Sequence, residues 1–200
     1  MLIVRELLLG PLRFSELAKG VGGAPTDVLT RRLRDLEEDG IVRRRELERP
    51  ATGTVYELTG LGRELEGPVL DLGRWGLNFY RLEDLPDLVT SSLANALRVI
   101  LDPPEDSETV VLQVHNEGHS NWLQIGGGES SAGRGTADRA DFTLSGTAPD
   151  VISVIGVGGE AEERVEIEGD REILLRLRDW VELPERLRAE VEELAAPIVS

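Results

Sequence analysis

Residues 26–59 read TDVLTRRLRDLEEDGIVRRRELERPATGTVYELT, and this stretch decides how the first part of the chain folds. Its beginning predicts a helix, because Leu29, Leu33 and Leu36 recur at spacings of four and three residues and therefore share one face. Gly40 is the predicted end of that helix, since glycine adopts the left-handed conformation beyond the last turn at little energetic cost. We therefore expect an amphipathic helix that stops sharply before a segment of different character.

The rest of this stretch predicts a β-hairpin. Ile41–Leu47 is a basic β-type run, and Thr54–Leu58 alternates like a strand that returns beside it. Between them, Arg49–Gly53 is a cluster of turn-forming residues. A helix that leads into a basic hairpin is the recognition half of a winged helix. In that arrangement the helix enters the DNA major groove, and the hairpin tip reaches the backbone or the minor groove.

Two shorter helices are predicted before the recognition helix. Leu2–Leu9 is an apolar helix pattern, Ser15 is the predicted N-cap of a second helix, and Gly20–Pro25 is a turn. Thr26 is the predicted N-cap of the recognition helix, and Asp27 places a negative charge in its first turn. Three helices followed by a hairpin is the element order of a winged helix-turn-helix domain, which is mainly α with a β-hairpin wing.

The segment LLLGPLRFSELAKGVGGAPTDVLTRRLRDLEEDGIVRRR, followed by VYELTGLGREL, resembles the HxlR-type branch of the MarR-like transcriptional regulators. The similarity covers roughly residues 2–80 in the order of the elements and in the turns between them. It implies a dimeric regulator that binds double-stranded DNA in a sequence-specific way. Members of this family usually carry more chain, often with a cysteine, ahead of the segment that corresponds to residues 2–5 here.

A further helix is predicted from Gly60 to about Tyr80, with Thr59 as its N-cap. Pro68 should kink it, because proline removes a backbone donor and clashes with the preceding turn. Two interpretations of its long apolar face stay open, namely dimerisation, as the resemblance implies, and burial within its own domain. We favour dimerisation, because the face is longer than a winged domain of this size needs to cover. The face consists of Leu61, Leu65, Val69, Leu72, Trp75 and Phe79.

The candidate DNA contacts lie on the recognition helix and in the wing turn. Arg31 and Arg34 lie opposite the leucine face, and an arginine fork can pair with guanine edges or with phosphates. The alternative is a solvated face on which arginines pair with nearby acids, and Arg32 is as suited to bracing the fold as to touching DNA. Arg49 is a better phosphate or minor-groove candidate than residues 43–45, which alternate faces of a strand. The predicted DNA-binding set is Thr26, Asp27, Thr30, Arg31, Arg34, Arg49 and Thr52.

Charge divides the chain into two parts. Residues 1–82 carry thirteen basic and thirteen acidic side chains, so the net charge of −16 lies entirely in residues 83–200. A neutral first part with clustered arginines can bind phosphates, whereas the acidic second part should face away from a duplex. Together with the acidic, proline-bearing break at Glu83–Asp87, this predicts two domains, 1–82 and 83–200.

The composition also restricts the compartment and the chemistry. The chain has no cysteine, which excludes disulfides and thiolate metal sites, and no apolar run of membrane-spanning length. The apolar start Met1–Val4 is broken by Arg5 and Glu6, so it does not predict a signal peptide. We therefore expect a cytoplasmic protein that does not associate with membranes.

The second part alternates strands and helices in the order of an α+β domain. It opens with a predicted helix at Leu88–Leu101 and then changes to the period of a strand. The predicted strands are 109–115, 121–125, 130–135, 140–146 and 164–169. The predicted helices are 149–155, a helix that Asp170 caps and that includes Trp180, and a last helix that Pro184 opens.

The segment ADFTLSGTAPDVISVIGVGG, followed after a short gap by RVEIEGDREILLRLRDW, resembles the sterol carrier protein type-two domain. The resemblance spans about residues 88–182 and implies helices on one face of a mainly antiparallel sheet. It also implies an apolar tunnel for a small hydrophobic ligand, such as a lipid. Ordinary core is the alternative for most of the residues concerned. The candidate ligand-binding residues are Trp122, Phe142, Leu144, Ile152, Ile155 and Leu174.

No catalytic, cofactor or metal site is predicted. His115 and His119 flank a turn that contains Gly118, and the chain has no further histidine and no cysteine to complete a metal site. The glycines at 126–128 end a strand and are not followed by Gly-Lys-Ser/Thr, so they predict a turn and not a phosphate-binding loop. No Ser–His–Asp grouping is discernible.

Three functions follow from these patterns. The first is a homodimeric DNA-binding transcriptional regulator whose second domain binds a small hydrophobic effector. The second is an interaction protein whose winged helix contacts another protein and whose acidic half is a scaffold. The third is an enzyme that uses a pocket in the second domain, and the lack of paired catalytic residues counts against it. We expect the first function.

Overall fold

The computed structural model describes residues 1–79, 81 and 92–195, which form two compact units, Met1–Asp71 and Leu72–Ser200. The units divide earlier in the chain than the predicted boundary. The predicted linker at Glu83–Asp87 lies outside the described residues, so the domains 1–82 and 83–200 stay a prediction. Within the described ranges, no helix combines the length and the apolar character that crossing a bilayer requires.

The first unit has helices before and after a two-stranded sheet. The helices are α1 (Leu2–Leu8), α2 (Phe14–Gly20), α3 (Thr26–Glu38), α4 (Gly60–Arg63) and α5 (Glu66–Gly76). The division between the two units falls inside α5. The antiparallel strands are β1 (Val42–Glu46) and β2 (Thr54–Leu58), and with the turn that joins them they form the wing. This is the order predicted for a winged helix-turn-helix.

The leucine face of α3 is built into the core of the first unit. Leu29 and Leu33 are buried, and Leu36 packs against the same core. Burying a leucine side chain stabilises a fold by roughly 1.5–3 kcal/mol, so this face fixes the orientation of the helix. The buried core consists of Ile3, Val4, Leu7, Leu8, Leu12, Leu17, Leu29, Leu33, Val42, Leu58 and Val69.

The end of α3 confirms the prediction for Gly40. Its φ is +70°, and its N–H donates to the Glu37 carbonyl at 3.1 Å. The N–H of Ile41 donates to the Leu36 carbonyl at 2.9 Å. These two bonds satisfy carbonyls that the end of a helix otherwise leaves without partners. The chain therefore turns directly from α3 into β1.

Two predicted N-caps are displaced. The cap position of α2 is Arg13 and not Ser15, because the carboxylate of Glu16 accepts a hydrogen bond from the Arg13 N–H at 2.7 Å and satisfies that donor. The cap position of α3 is Pro25 and not Thr26. Pro25 has an extended ψ of 137° and the helical dihedrals begin with the next residue, so the threonine lies inside the first turn.

The helix predicted after the wing is broken into α4 and α5. Thr59 caps it as predicted, since its hydroxyl accepts from the Gly62 N–H at 3.0 Å and donates to the Gly40 carbonyl at 2.6 Å. The chain then leaves the helical path between α4 and α5. Pro68 lies in the first turn of α5 and cannot donate to the Glu64 carbonyl, and the helix is interrupted at residues 64–65, one turn before the proline. The predicted kink is therefore observed as a break one turn before Pro68.

The second unit consists of helices and a five-stranded sheet. Its strands are β3 (Val110–Asn116), β4 (His119–Gly126), β5 (Glu129–Arg134), β6 (Phe142–Ser145) and β7 (Glu166–Gly169). Its helices are α6 (Leu93–Ile100), α7 (Ala148–Gly156), α8 (Arg171–Asp179) and α9 (Glu185–Ala195), with a 3-10 turn at Gly159–Arg164. Residues 88–91 of the first predicted helix lie outside the described residues. Asp170 caps α8 as predicted, by accepting from the Glu172 N–H at 2.9 Å.

The sheet of the second unit has the strand order β5-β4-β3-β6-β7. Three of its neighbouring pairs are antiparallel, and β3 pairs with β6 in parallel. In the parallel pair Leu112 lies beside Phe142, and Val114 lies beside Leu144. The sheet is therefore mixed. Its parallel pair joins β3 and β6, and the sequence pattern did not indicate that these two strands are neighbours.

Candidate nucleic-acid interface

The two predicted arginines of α3 lie on its exposed side. Arg31 and Arg34 are exposed, while Leu29 and Leu33 on the opposite side are buried. Within the part of the chain that the structure describes, neither guanidinium has an ion-pair partner. The helix therefore presents two unneutralised cations to solvent. The other predicted residues of α3, namely Thr26, Asp27 and Thr30, are exposed as well.

The arginines of β1 are paired with carboxylates. Arg43 and Arg45 both bind Glu57 of β2, with nitrogen–oxygen distances of 2.8 and 2.9 Å. Arg44 points to the other face of the strand and binds Glu37 of α3 at 2.8 Å. This agrees with the prediction that at most two of the three share a face. Arg32 is also paired, with Asp35 at 3.4 Å.

These ion pairs shift the ionisation of their members. The hydrogen bond from Arg45, together with the one from Arg43, holds the pKa of Glu57 below its usual range, although partial burial acts in the opposite direction. The hydrogen bond to Glu37 raises the pKa of Arg44 above its ordinary value. Glu57 and Arg44 therefore stay ionised at neutral pH. The three arginines of β1 share two carboxylates, so one positive charge remains in excess within this group of ion pairs.

The wing turn carries the last two predicted residues. The N–H of Leu47 donates to the Gly53 carbonyl at 2.9 Å and closes the turn. Arg49 and Thr52 lie inside this closed loop and are exposed. Among the described residues, the Arg49 guanidinium has no ion-pair partner. The tip of the wing is therefore a second place where a cation is available to an external anion.

The predicted ligand-binding residues of the second unit are divided by the sheet. Phe142 and Leu144 lie on the same face of the sheet, because residues two apart along a strand point to the same side. Both are buried, and both pair with buried residues of β3. The pairing of Trp122 with Gln113 places Trp122 on the other face, where its indole lies against Gly133. The remaining members are buried, namely Ile152, Ile155 and Leu174.

The two histidines lie around the β3–β4 turn. His115 Nδ1 is 2.9 Å from Ser120 Oγ, and His119 is exposed. An open cleft of about 480 Å³ lies at this end of the sheet. In the described part of the chain, no group of three or more His, Cys, Asp and Glu side chains is arranged to hold a metal ion.

Comparison with known proteins finds a matching family model and related regulators. A family model described as HxlR-like helix-turn-helix matches residues 1–99. The chain is 37% identical over 76 residues to the uncharacterized HTH-type transcriptional regulator YtcD of Bacillus subtilis (strain 168), and this match covers 38% of the chain and 60% of YtcD. It is 31% identical over 78 residues to the HTH-type transcriptional regulator YodB of the same organism, covering 39% of the chain and 70% of YodB.

Comparison with solved structures gives two further matches with low TM-scores. The reduced form of YodB from B. subtilis has 31% identity and a TM-score of 0.35, and the match covers 39% of this chain and 76% of that one. A structure titled UbiJ-SCP2 ubiquinone synthesis protein has 14% identity and a TM-score of 0.32, and the match covers 68% of this chain and 99% of that one.

The sequence matches settle the family. The chain spans about 60% of the length of the curated relative YtcD. The match to YodB covers 70% of YodB at 31% identity, and the HxlR-like family model matches residues 1–99. On these two findings together, the chain belongs to the HxlR-like helix-turn-helix family.

Proposed function

We propose that this protein is a transcriptional regulator that binds double-stranded DNA through its first unit. The observation that carries the proposal is how the arginines of this unit are paired. Arg31, Arg34 and Arg49 are exposed and lack an ion-pair partner among the described residues, whereas Arg32 and the three arginines of β1 are paired. An unpaired guanidinium can bind a phosphate or a guanine edge without first breaking an internal ion pair.

The distribution of charge along α3 supports insertion by its N-terminal half. Arg31 and Arg34 lie in the first nine residues, and the acidic residues 35, 37, 38 and 39 follow them. A recognition helix contacts base edges with its N-terminal residues, and the acidic end is kept away from the phosphates. Thr26, Asp27 and Thr30 on α3 and Thr52 in the wing turn complete the proposed interface.

The decisive experiment is a salt titration of DNA binding. A duplex is first selected from a random pool with the purified protein, and its affinity is then measured by fluorescence anisotropy between low and moderate salt. Each neutralised phosphate contributes about −0.9 to the slope of log K against log salt. A steep linear slope and discrimination from random DNA are expected. Failure to enrich any duplex, with no salt-dependent binding, would favour the protein-interaction alternative.

We also propose that the regulator is a homodimer. Leu72, Trp75 and Phe79 recur at helical spacing along α5 and the turn beyond it, and they are 48%, 61% and 64% exposed. The Trp75 and Phe79 rings lie 4.7 Å apart and form one apolar patch. A second copy of the chain that buries this patch would remove the two aromatic side chains from water, a large favourable contribution.

The proposal also includes a role for the second unit, namely the binding of a small hydrophobic effector. The sterol-carrier resemblance implies helices on one face of the sheet and a hydrophobic ligand between the two layers. In the structure Phe142, Leu144 and Ile155 are buried at 0–1% exposure, so a ligand would have to separate packed layers to enter. A thermal-shift series with fatty acids of rising chain length tests this role, because each buried methylene adds about 0.8 kcal/mol. A melting temperature that does not change with fatty acids of any chain length would reject the effector role.

The enzyme alternative has no support from the two regulators to which the chain is similar. The curated relatives YtcD and YodB are named as transcriptional regulators.

A further inference from the structure

A one-residue strand joins the start of α2 to the wing. Leu12 pairs with Tyr56 of β2, since its N–H donates to the Tyr56 carbonyl at 3.0 Å and its carbonyl accepts from the Tyr56 N–H at 2.8 Å. Arg13 is the next residue and occupies the N-cap position of α2. Its backbone is therefore fixed on one side by β2 and on the other by the first turn of α2.

The side chain of Arg13 reaches the wing turn. Its Nη1 atom lies so close to Gly53 that a Cβ added at that glycine would sit 2.5 Å from it. Gly53 has a φ of +111°, and its carbonyl accepts the hydrogen bond from Leu47 that closes the turn. A glycine at this position both permits the turn and leaves the space that the guanidinium fills.

The carboxylates of α2 and of the two wing strands have other hydrogen-bond partners. Glu16 accepts from the backbone N–H of Arg13, Glu46 accepts from the Thr54 hydroxyl at 2.6 Å, and Glu57 binds Arg43 and Arg45. Within the described residues, the Arg13 guanidinium has no ion-pair partner. The wing turn is therefore approached by a half-buried guanidinium that forms no ion pair with the described carboxylates.

We propose that Arg13 is a further DNA-contacting residue, whose guanidinium binds a backbone phosphate beside the wing turn and is kept in position there by Gly53. This inference rests on the proposed DNA binding and adds a residue that the sequence analysis did not single out. Because phosphates carry no sequence information, Arg13 contributes affinity and positioning and does not discriminate between sequences. With Arg49 in the same wing, it gives the duplex backbone two cations to bind.

The test compares Arg13→Gln with a matched variant of equal net charge, using the full chain and a random-sequence duplex. The matched variant is Arg186→Gln, which removes an exposed arginine that pairs with Glu190 at 3.4 Å in the acidic second unit. Arg13→Gln should flatten the slope of log K against log salt by about 0.9, and Arg186→Gln should leave it unchanged. An unchanged slope for Arg13→Gln would overturn the proposal, and so would an equal loss in both variants.

A second variant separates a phosphate contact from a purely structural role. Arg13→Lys keeps the charge and removes the planar guanidinium that lies against Gly53, so it should retain most of the salt slope. A folded Arg13→Lys protein that loses as much slope as Arg13→Gln would show that only packing is involved and would reject the contact. Far-UV circular dichroism melts identify any variant that does not fold. If the wild-type protein binds no DNA, the proposed function itself fails, which is a distinguishable result.

Discussion

The guanidinium of Arg44 donates to the carboxylate of Glu37 at 2.8 Å and thereby ties β1 of the wing to the recognition helix. The same guanidinium lies 5.5 Å from the centre of the Tyr56 ring. A pair with an exposed member contributes only about 0.2–1 kcal/mol to stability, so its main effect is on geometry. It aligns helix and wing while Arg31, Arg34 and Arg49 stay available to a ligand.

The arginines of α3 give the first prediction. Arg31→Ala and Arg34→Ala should each weaken binding to a selected operator by about 1–3 kcal/mol, the contribution of a lost bidentate base contact. Neither should unfold the protein, because both side chains are exposed. Arg32→Ala is the matched control, since its partner is Asp35 on the same helix. Equal losses in all three variants, measured by anisotropy at one moderate salt concentration, would remove Arg31 and Arg34 from the interface.

The wing gives the second prediction. Arg49→Ala should weaken binding to operator and random DNA by the same factor and flatten the salt slope by about one unit, because a phosphate contact is indifferent to sequence. Parallel salt titrations on the two duplexes measure both quantities. Collapse of the discrimination between them, with the slope intact, would mean that the wing reads base sequence or groove shape.

The third prediction concerns pH. The pKa of Glu57 is lowered by its hydrogen bonds from Arg45 and Arg43, so the unfolded chain binds this proton more readily than the folded one. The ion pairs therefore stabilise the fold above the ordinary glutamate pKa, and this contribution is lost as pH falls through the lowered value. Glu57→Gln should destabilise the protein at pH 7 by about 1 kcal/mol, because the arginine partners are largely exposed and screened.

The difference between Glu57→Gln and the wild type should shrink as pH falls below the ordinary glutamate pKa, because the unfolded chain is protonated first. It should disappear once pH has fallen through the lowered pKa of the folded protein. Chemical denaturation at several pH values measures this convergence. Glu48→Gln is the control, since Glu48 is an exposed glutamate in the wing turn, and its effect should be small throughout. A Glu57→Gln penalty that does not change with pH would contradict the ion-pair explanation.

The fourth prediction compares two glycines of α4. A Cβ at Gly62 would collide with the backbone carbonyl of Ile41, whereas a Cβ at Gly60 would meet no atom within 4 Å. Because backbone cannot move aside as a side chain can, Gly62→Ala should destabilise the fold by about 1–3 kcal/mol. Gly60→Ala should stay within about 0.5 kcal/mol of the wild type. Thermal melts of both variants decide this, and similar melting temperatures would be the contrary result.

The fifth prediction concerns assembly. Trp75→Glu places a charge in the proposed dimer contact and should weaken self-association by at least about 2 kcal/mol, or roughly thirtyfold in Kd. Leu175→Glu is the matched control, because Leu175 is also an exposed apolar residue of the second unit, on α8. Light scattering after size-exclusion chromatography should show two chains for the wild type and the control and one chain for Trp75→Glu. A wild type that elutes as a single chain would refute the homodimer.

Local signals determined much of the first unit from the sequence alone. The leucine spacing of α3, the stop at Gly40, the cap at Thr59 and the limits of Thr54–Leu58 were all predicted and are observed. In each case the deciding forces act between residues a few positions apart, such as the hydrogen bond from Ile41 back to Leu36. A pattern in the sequence can therefore indicate the structure directly.

Tertiary structure decided the features that depend on residues distant in the chain. Which arginines form ion pairs depends on where the strands and the helix place Glu37 and Glu57. The sequence therefore showed which residues are cationic, but it did not show which of them are unpaired and able to bind an external anion. The parallel pairing of β3 with β6 and the placement of Trp122 away from Phe142 follow from strand register, which a single strand does not encode. The approach of Arg13 to Gly53 spans forty residues of sequence, and it exists because β2 brings the start of α2 and the wing turn together.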